Sequence, residues 1–191
     1  MANRQALREL QSRLASRLQA ARDEGPSVAW LAVEAGGAGY LFPLGQAGEI
    51  FSWTAVQPVP YTRPWFLGVA NLRGNLAGVI DLTGFLSAMA ASVASPSDKK
   101  TSPRRADALR ADSSLLTFNA ALGMQCALVV DRLAGLRGGD AFVAVSPRAD
   151  DAPDWHGSIY TDPQQRRWQE IDLQALAEFP RFLDITLGLD G

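Results

Sequence analysis

PWFLGVANLRGNLAGVIDL, residues 64 to 82, sets two apolar runs of strand length on either side of one polar, glycine-containing break. The pattern predicts a β-hairpin, with Phe66 to Leu72 as the first strand, Leu76 to Leu82 as the second, and Arg73-Gly74-Asn75 between them. Gly74 is free to take the positive φ of a tight reversal. Because side chains alternate across a strand, Leu76, Gly78, Ile80 and Leu82 share one face, while Asn75, Ala77, Val79 and Asp81 share the other. One face is expected to be core and the other mixed. Arg73 is then displayed at a rigid turn on a β scaffold, where interaction residues are commonly presented.

Shorter runs of the same kind surround this hairpin. Val28 to Val33, Tyr40 to Leu44 and Ile50 to Trp53 read as strands, the first two joined by Gly36-Gly37-Ala38-Gly39. A glycine run can cradle phosphate, but this one lacks the Lys-Ser/Thr of a P-loop and dinucleotide-type spacing, so it reads as a hairpin turn. The segment carrying Pro58, Pro60 and Pro64 is excluded from any central strand. Thr83 to Ala91 is a short helix. The strand rhythm restarts with Leu115 to Phe118, Gln125 to Val130, Ala141 to Val145, Gly157 to Thr161 and Arg167 to Leu173, followed by a helix over Gln174 to Phe179. Many short strands with turn residues between them argue for small barrels. The halves echo one another: Trp65, Gly68 and Val79-Ile80-Asp81-Leu82 before a helix are answered by Trp155, Gly157 and Glu170-Ile171-Asp172-Leu173 before a helix.

Between the halves the composition shifts. Residues 92 to 110 are rich in Ser, Pro, Ala, Asp, Lys and Arg and read as a flexible linker, since so little apolar surface cannot offset the entropy of ordering. Lys99-Lys100 and Arg104-Arg105 there read as a solvated charge run rather than an acid-binding patch. Residues 1 to 26 read as an N-terminal amphipathic helix with Leu7, Leu10, Leu14 and Leu18 on one stripe, ended by Gly25-Pro26. A leucine stripe packed on a barrel is the preferred reading, ahead of a membrane-surface or partner-binding helix. The domain plan is therefore that helix, a first barrel lobe at 27–91, a linker at 92–110 and a second lobe with a C-terminal tail at 111–191. The lobes share one domain and are able to exchange strands.

The bulk numbers narrow the function classes. With 191 residues, 47% hydrophobic and 20% charged, the chain has the composition of an ordinary globular protein and the length to bury about 70% of its unfolded surface. A net charge of -2 supplies no general pull towards nucleic acid. No apolar run reaches the roughly 20 residues that span a bilayer, and Arg4, Arg8 and Glu9 interrupt any secretory leader. One cysteine permits no internal disulfide, and a cytoplasmic location is expected.

Candidate chemistry is thin. A Cys126-His156 nucleophile pair needs a third, orienting group, and Cys126 alternates in phase with Leu128 and Val130 on a core strand, which reads as an inert thiol. His156 reads as a surface residue at a loop-to-strand corner. Asp81 and Asp172 stand at matched strand ends, where Asp closes a strand or caps the next helix. Five tryptophans, at 30, 53, 65, 155 and 168, read mostly as core, with one or two lining a groove. No metal set or cofactor motif is present in the sequence.

The segment from Gly68 to Leu82 resembles the G-V-x-N-L-R-G-x-x-x-P-V-I-D-L core of the CheW family of chemotaxis coupling proteins. Gly48-Glu49-Ile50 resembles that family's E-I motif, and Val129-Val130-Asp131 resembles the V-V-D that opens its second half. Ala77-Gly78 stands where the family usually has a proline. The N-terminal extension and the PWFLGVANLRG wording resemble the CheW-like proteins of type IV pilus (twitching motility) signalling systems. The resemblance covers Val28 to Glu178. It implies a mainly β fold of two SH3-like five-stranded β-barrel lobes with short helices, and no enzymatic activity or cofactor. It also implies an adaptor between the cytoplasmic helical tip of a methyl-accepting chemoreceptor and the regulatory domain of a CheA-type histidine kinase. A partner-binding surface drawn from Arg73, Glu49, Ala47, Gly68, Asn71 and Gly74 is implied as well. Without the family, Arg73 reads as a solvated turn residue. The rivals are a small hydrolase using Cys126 or an Asp pair, and a β-barrel that binds nucleic acid.

Overall fold

The computed structural model describes residues 29–91 and 113–187; the sequence-predicted N-terminal helix and linker lie outside the described residues. Eleven strands run β1 (Trp30–Ala35), β2 (Ala38–Pro43), β3 (Ala47–Ser52), β4 (Phe66–Leu72), β5 (Asn75–Asp81), β6 (Ser114–Phe118), β7 (Cys126–Val130), β8 (Arg132–Arg137), β9 (Ala144–Ser146), β10 (His156–Thr161) and β11 (Arg167–Ile171). Three short helices join them: α1 (Leu82–Ala91), α2 (Leu173–Glu178) and α3 (Pro180–Leu183).

The strands form two sheets, ordered β8-β1-β2-β11-β10-β9 and β3-β6-β7-β5-β4. Each sheet draws on both halves of the chain. The β1–β2 hairpin pairs in parallel with β11, and the β6–β7 pair runs parallel to β5. Boundaries at 27–91 and 111–191 thus do not separate the sheets, because the strands are exchanged across the middle of the chain. One sheet has six strands where five were expected, the extra one being the short edge strand β9.

The internal echo has a structural counterpart. Trp65 O accepts from Asp81 N at 2.8 Å, and Trp155 O accepts from Asp172 N at 2.9 Å, so each tryptophan is tied to the end of its hairpin's second strand. A short helix follows each. Asp172 does cap its helix: Oδ1 accepts from the backbone N of Gln174 and Ala175 and from Gln46 Nε2.

Three buried clusters show why both faces of these strands are apolar. Ala70, Leu72, Ala77, Val79, Leu115, Ala127 and Val129 fill the interior of the five-stranded sheet, with Phe51 of β3 packed on them. Trp30, Ala32, Leu41 and Trp168 fill the other, with Tyr160 and Phe142. A larger cluster between the barrels takes residues from both sheets and all three helices, around Trp65, Phe85, Trp155 and Phe182. Phe85 lies 5.2 Å from the rings of Trp65 and Phe182 and 5.8 Å from that of Trp155. On β5 the expectation of one core face and one mixed face therefore needs correction. Val79 lines a barrel and Ile80 the shared core, so both faces are buried beyond Leu76, which is exposed.

The second barrel is clamped by polar contacts at its end. Trp168 Nε1 donates to Asp162 at 3.0 Å, while the guanidinium carbons of Arg137 and Arg166 lie 4.4 and 4.6 Å from the Trp168 ring. The Trp168 bond, with backbone donors from Arg166 and Gln164, holds the Asp162 carboxyl below its ordinary range. Gly39 is required opposite this ring, because a Cβ there would come within 2.7 Å of it.

Phe85→Ala removes the ring at the junction of the two barrels and is expected to cost about 3–5 kcal/mol. Urea unfolding should keep a single transition at a lower midpoint, and two separated transitions would show that the barrels do not fold as one unit.

Candidate partner-binding surface

The β4–β5 hairpin closes on a two-residue turn, with Leu72 facing Asn75, so Asn75 belongs to the strand and not to the turn. Arg73 and Gly74 both take positive φ, 51° and 89°, the pairing of a type I′ reversal whose twist matches the flanking strands. The sequence reading placed the positive φ on Gly74 alone. Asn71 fixes the turn, its Oδ1 accepting from Gly74 N at 2.7 Å.

The order β3-β6-β7-β5-β4 puts β3 at the edge far from the hairpin, yet Glu49 of β3 meets Arg73. The sheet has therefore curled until its ends approach. Arg73 Nη1 donates to Glu49 Oε2 at 2.5 Å, a one-point contact. Both side chains are largely exposed, at 73% and 60%. Arg73 also rests over the Phe51 ring at 5.3 Å. Glu49 is fixed from behind, since its N donates to Thr117 Oγ1 at 2.8 Å and its carbonyl accepts from that hydroxyl at 3.1 Å. Gly48 is needed there because a Cβ would lie 2.5 Å from Phe118 O.

Arg73, Glu49, Asn71 and Gly74 are thus brought together on the surface. Ala47 and Gly68 are not exposed with them. Ala47 is buried against β6, and Gly68 has φ 134° with Gln57 O where its Cβ would be. Both shape the backbone. Thr117 and Phe51 escaped the sequence reading. Phe51 was legible in principle, two residues from Glu49 and so on the same side of β3, whereas Thr117 comes from a strand in the other half of the chain. Next to the pair, Leu76, Met124, Gln125 and Asn119 help line a groove of about 390 Å³.

The other candidates are not assembled into a catalytic set. Cys126 lies in β7 and His156 in β10, strands of different sheets, with no hydrogen bond between them. Burial pushes the Cys126 thiol up to about 12. His156 is half-buried, edge-on to the Trp155 ring at 4.2 Å, and its pKa is lowered by burial and then by Arg148. Among the described residues no group of three or more His, Cys, Asp or Glu could hold a metal ion, and no helix is long and apolar enough to cross a membrane.

Two interlocked small barrels thus carry a charged pair on a stiff turn beside a groove. The chain belongs to the CheW family: the model for the CheW-like domain matches residues 29–180. It is 28% identical over 179 residues to Protein PilI of Pseudomonas aeruginosa, covering 92% of this chain and 89% of that protein. Its fold matches the crystal structure of the scaffolding protein TtCheW from Thermoanaerobacter tengcongensis, with a TM-score of 0.54 and 16% identity, over 76% of this chain and 89% of that one.

Two outcomes are expected from this geometry. Arg73→Ala should shift stability by no more than about 1 kcal/mol, an exposed pair's worth, whereas Gly68→Ala should cost about 2 kcal/mol or more through strain and the clash with Gln57. Thermal melts of the two variants check this. Native Cys126 should react slowly with a thiol reagent at about pH 8 and rapidly once the chain is unfolded, because the thiolate is suppressed only while buried.

Proposed function

We propose that this protein is a non-enzymatic, cytoplasmic adaptor that couples a methyl-accepting chemoreceptor to a CheA-type histidine kinase in a pathway controlling type IV pilus twitching motility. The observation that carries the reading is the Arg73–Glu49 pair. It is exposed, yet its direction is fixed by the type I′ turn, the Phe51 ring and the Thr117 hydroxyl. A guanidinium whose origin is fixed loses little freedom on meeting a receptor helix, and the adjacent groove offers Leu76 and Met124 to that helix's apolar side chains. The family membership and the likeness to PilI supply the class of pathway.

For the kinase, the reading uses the open edges of the six-stranded sheet. Leu136 of β8, with Val143 and Val145 at β9, is largely exposed there, at 66%, 60% and 57%. Unpaired edge groups beside apolar side chains suit docking of another small barrel. The mechanism is then binding alone: holding kinase and receptor together raises their effective concentration and lets a receptor transition bias the kinase.

The two faces separate in a binding assay. Arg73→Ala is expected to weaken binding of a receptor cytoplasmic fragment by about 2–5 kcal/mol while leaving affinity for the kinase regulatory domain unchanged. Val145→Lys should do the reverse, and wild-type kinase binding should persist in moderate salt. Calorimetric titration with each partner measures both, and unchanged receptor affinity in Arg73→Ala would return that residue to a solvated turn.

A further inference from the structure

The described chain begins at Ala29, and exposed apolar side chains stand around that point. Leu44 is exposed, and its N donates to Ala29 O at 2.9 Å. Val143 and Val145, at the β9 edge of the six-stranded sheet, are largely exposed. Val145 faces Tyr160, and the rings of Tyr160 and Phe142 lie 4.7 and 5.9 Å from that of Trp30, the first residue of β1. The chain that precedes Trp30 therefore joins the fold beside this edge.

Acid borders the edge. Between residues 138 and 154 the sequence holds Asp140, Asp150, Asp151 and Asp154 against one arginine, Arg148. Arg148 binds Asp154 at 3.1 Å, while Asp140, Asp150 and Asp151 are exposed on either side of the two valines in sequence. The segment before Ala29, outside the described residues, has the complementary composition. Leu7, Leu10, Leu14 and Leu18 recur at helical spacing, and residues 2–22 carry Arg4, Arg8, Arg13, Arg17 and Arg22 against one acid, Glu9. At the helical repeat, Arg13 and Arg17 fall on one border of the leucine stripe and Arg4, Arg8 and Arg22 on the other. Residues 23–28 then form a tether that spans at most about 20 Å, which confines such a helix near Ala29.

We propose that residues 2–22 dock as an amphipathic helix on the β9 edge of their own chain, leucines on Val143 and Val145 and arginines over Asp140, Asp150 and Asp151. A segment on so short a tether has an effective concentration of about a millimolar, which favours it over a second copy of the chain. The kinase reading above gives the same edge to the kinase regulatory domain. On that reading, the segment is an intramolecular competitor that the kinase displaces.

Hydrogen exchange of the full chain, read by mass spectrometry, tests the docking without any partner. Peptides covering 5–20 and 142–147 are expected to exchange about tenfold more slowly than in Leu10→Glu/Leu14→Glu, at a rate independent of protein concentration. Val145→Lys, an exposed change, should release residues 5–20 as fully, with the near-ultraviolet dichroism of the buried tryptophans confirming that the barrels are folded. Unprotected residues 5–20 in the wild type, protection unchanged in folded Val145→Lys, or protection that rises with protein concentration, as for a second copy, would overturn the proposal. Calorimetry with the kinase regulatory domain reads the competition: Leu10→Glu/Leu14→Glu should bind about threefold more tightly than the wild type. Equal affinities would overturn the competition, whereas a kinase domain that binds neither chain would overturn the kinase reading and leave the docking, measured without it, intact.

Discussion

The structure depends on two parallel pairings, β2 with β11 and β5 with β7. Each joins strands from opposite halves of the sequence, and each places an opening hairpin of one half beside the closing hairpin of the other. Neither half can complete a barrel from its own strands, so the loop-closure entropy of both exchanges must be met before either core is sealed. The shared cluster around Phe85, Trp155 and Phe182 provides the apolar burial that offsets it. Helices α1 and α2 follow directly from the exchanged strands β5 and β11, which brings their buried residues, Leu82, Phe85, Leu173 and Leu176, to the seam.

This exchange also explains what a reader of the sequence can and cannot see. The hairpin at 64–82, the short strands, the helices after each Asp, and the repeated tryptophan are legible because they follow local rules: alternation, turn chemistry and capping. Strand β8, RLAGLR, is not, because Arg132, Gly135 and Arg137 break its apolar pattern. Among the described residues it is an edge strand with one paired neighbour and no demand for burial on both sides. The run at 141–145 misled in the opposite direction. Gly139–Ala141 forms a short 3-10 turn, and the strand begins at Ala144. Arg73 and Glu49 were legible through a motif, whereas Thr117 was invisible, since only the pairing of β3 with β6, a strand from the other half of the chain, brings it behind Glu49.

The tryptophans divide by task. Trp30 and Trp168 fill one barrel, where no other described side chains of their size are available, and their N–H groups are matched by Glu170 and Asp162. Trp65 and Trp155 belong to the seam. The other barrel has Ala70, Ala77 and Ala127 inside with Leu72, Val79, Leu115 and Val129, and the fifth tryptophan, Trp53, packs against this cluster.

Arg73 holds a left-handed conformation that costs a non-glycine residue roughly 1–2 kcal/mol. Glycine at that position would fold more easily, and the exposed pair with Glu49 returns no more than about 1 kcal/mol. The Phe51 ring adds about 0.5–1 kcal/mol, so these contacts roughly offset the strain without a surplus. What the conformation does provide is direction. With φ fixed by the turn, the guanidinium leaves the hairpin tip along the side of β3, over Phe51 and against Glu49, at the rim of the Leu76–Met124 groove. A glycine would remove the strain and the charge together, and a strained arginine at this turn is consistent with the partner-binding role proposed for Arg73.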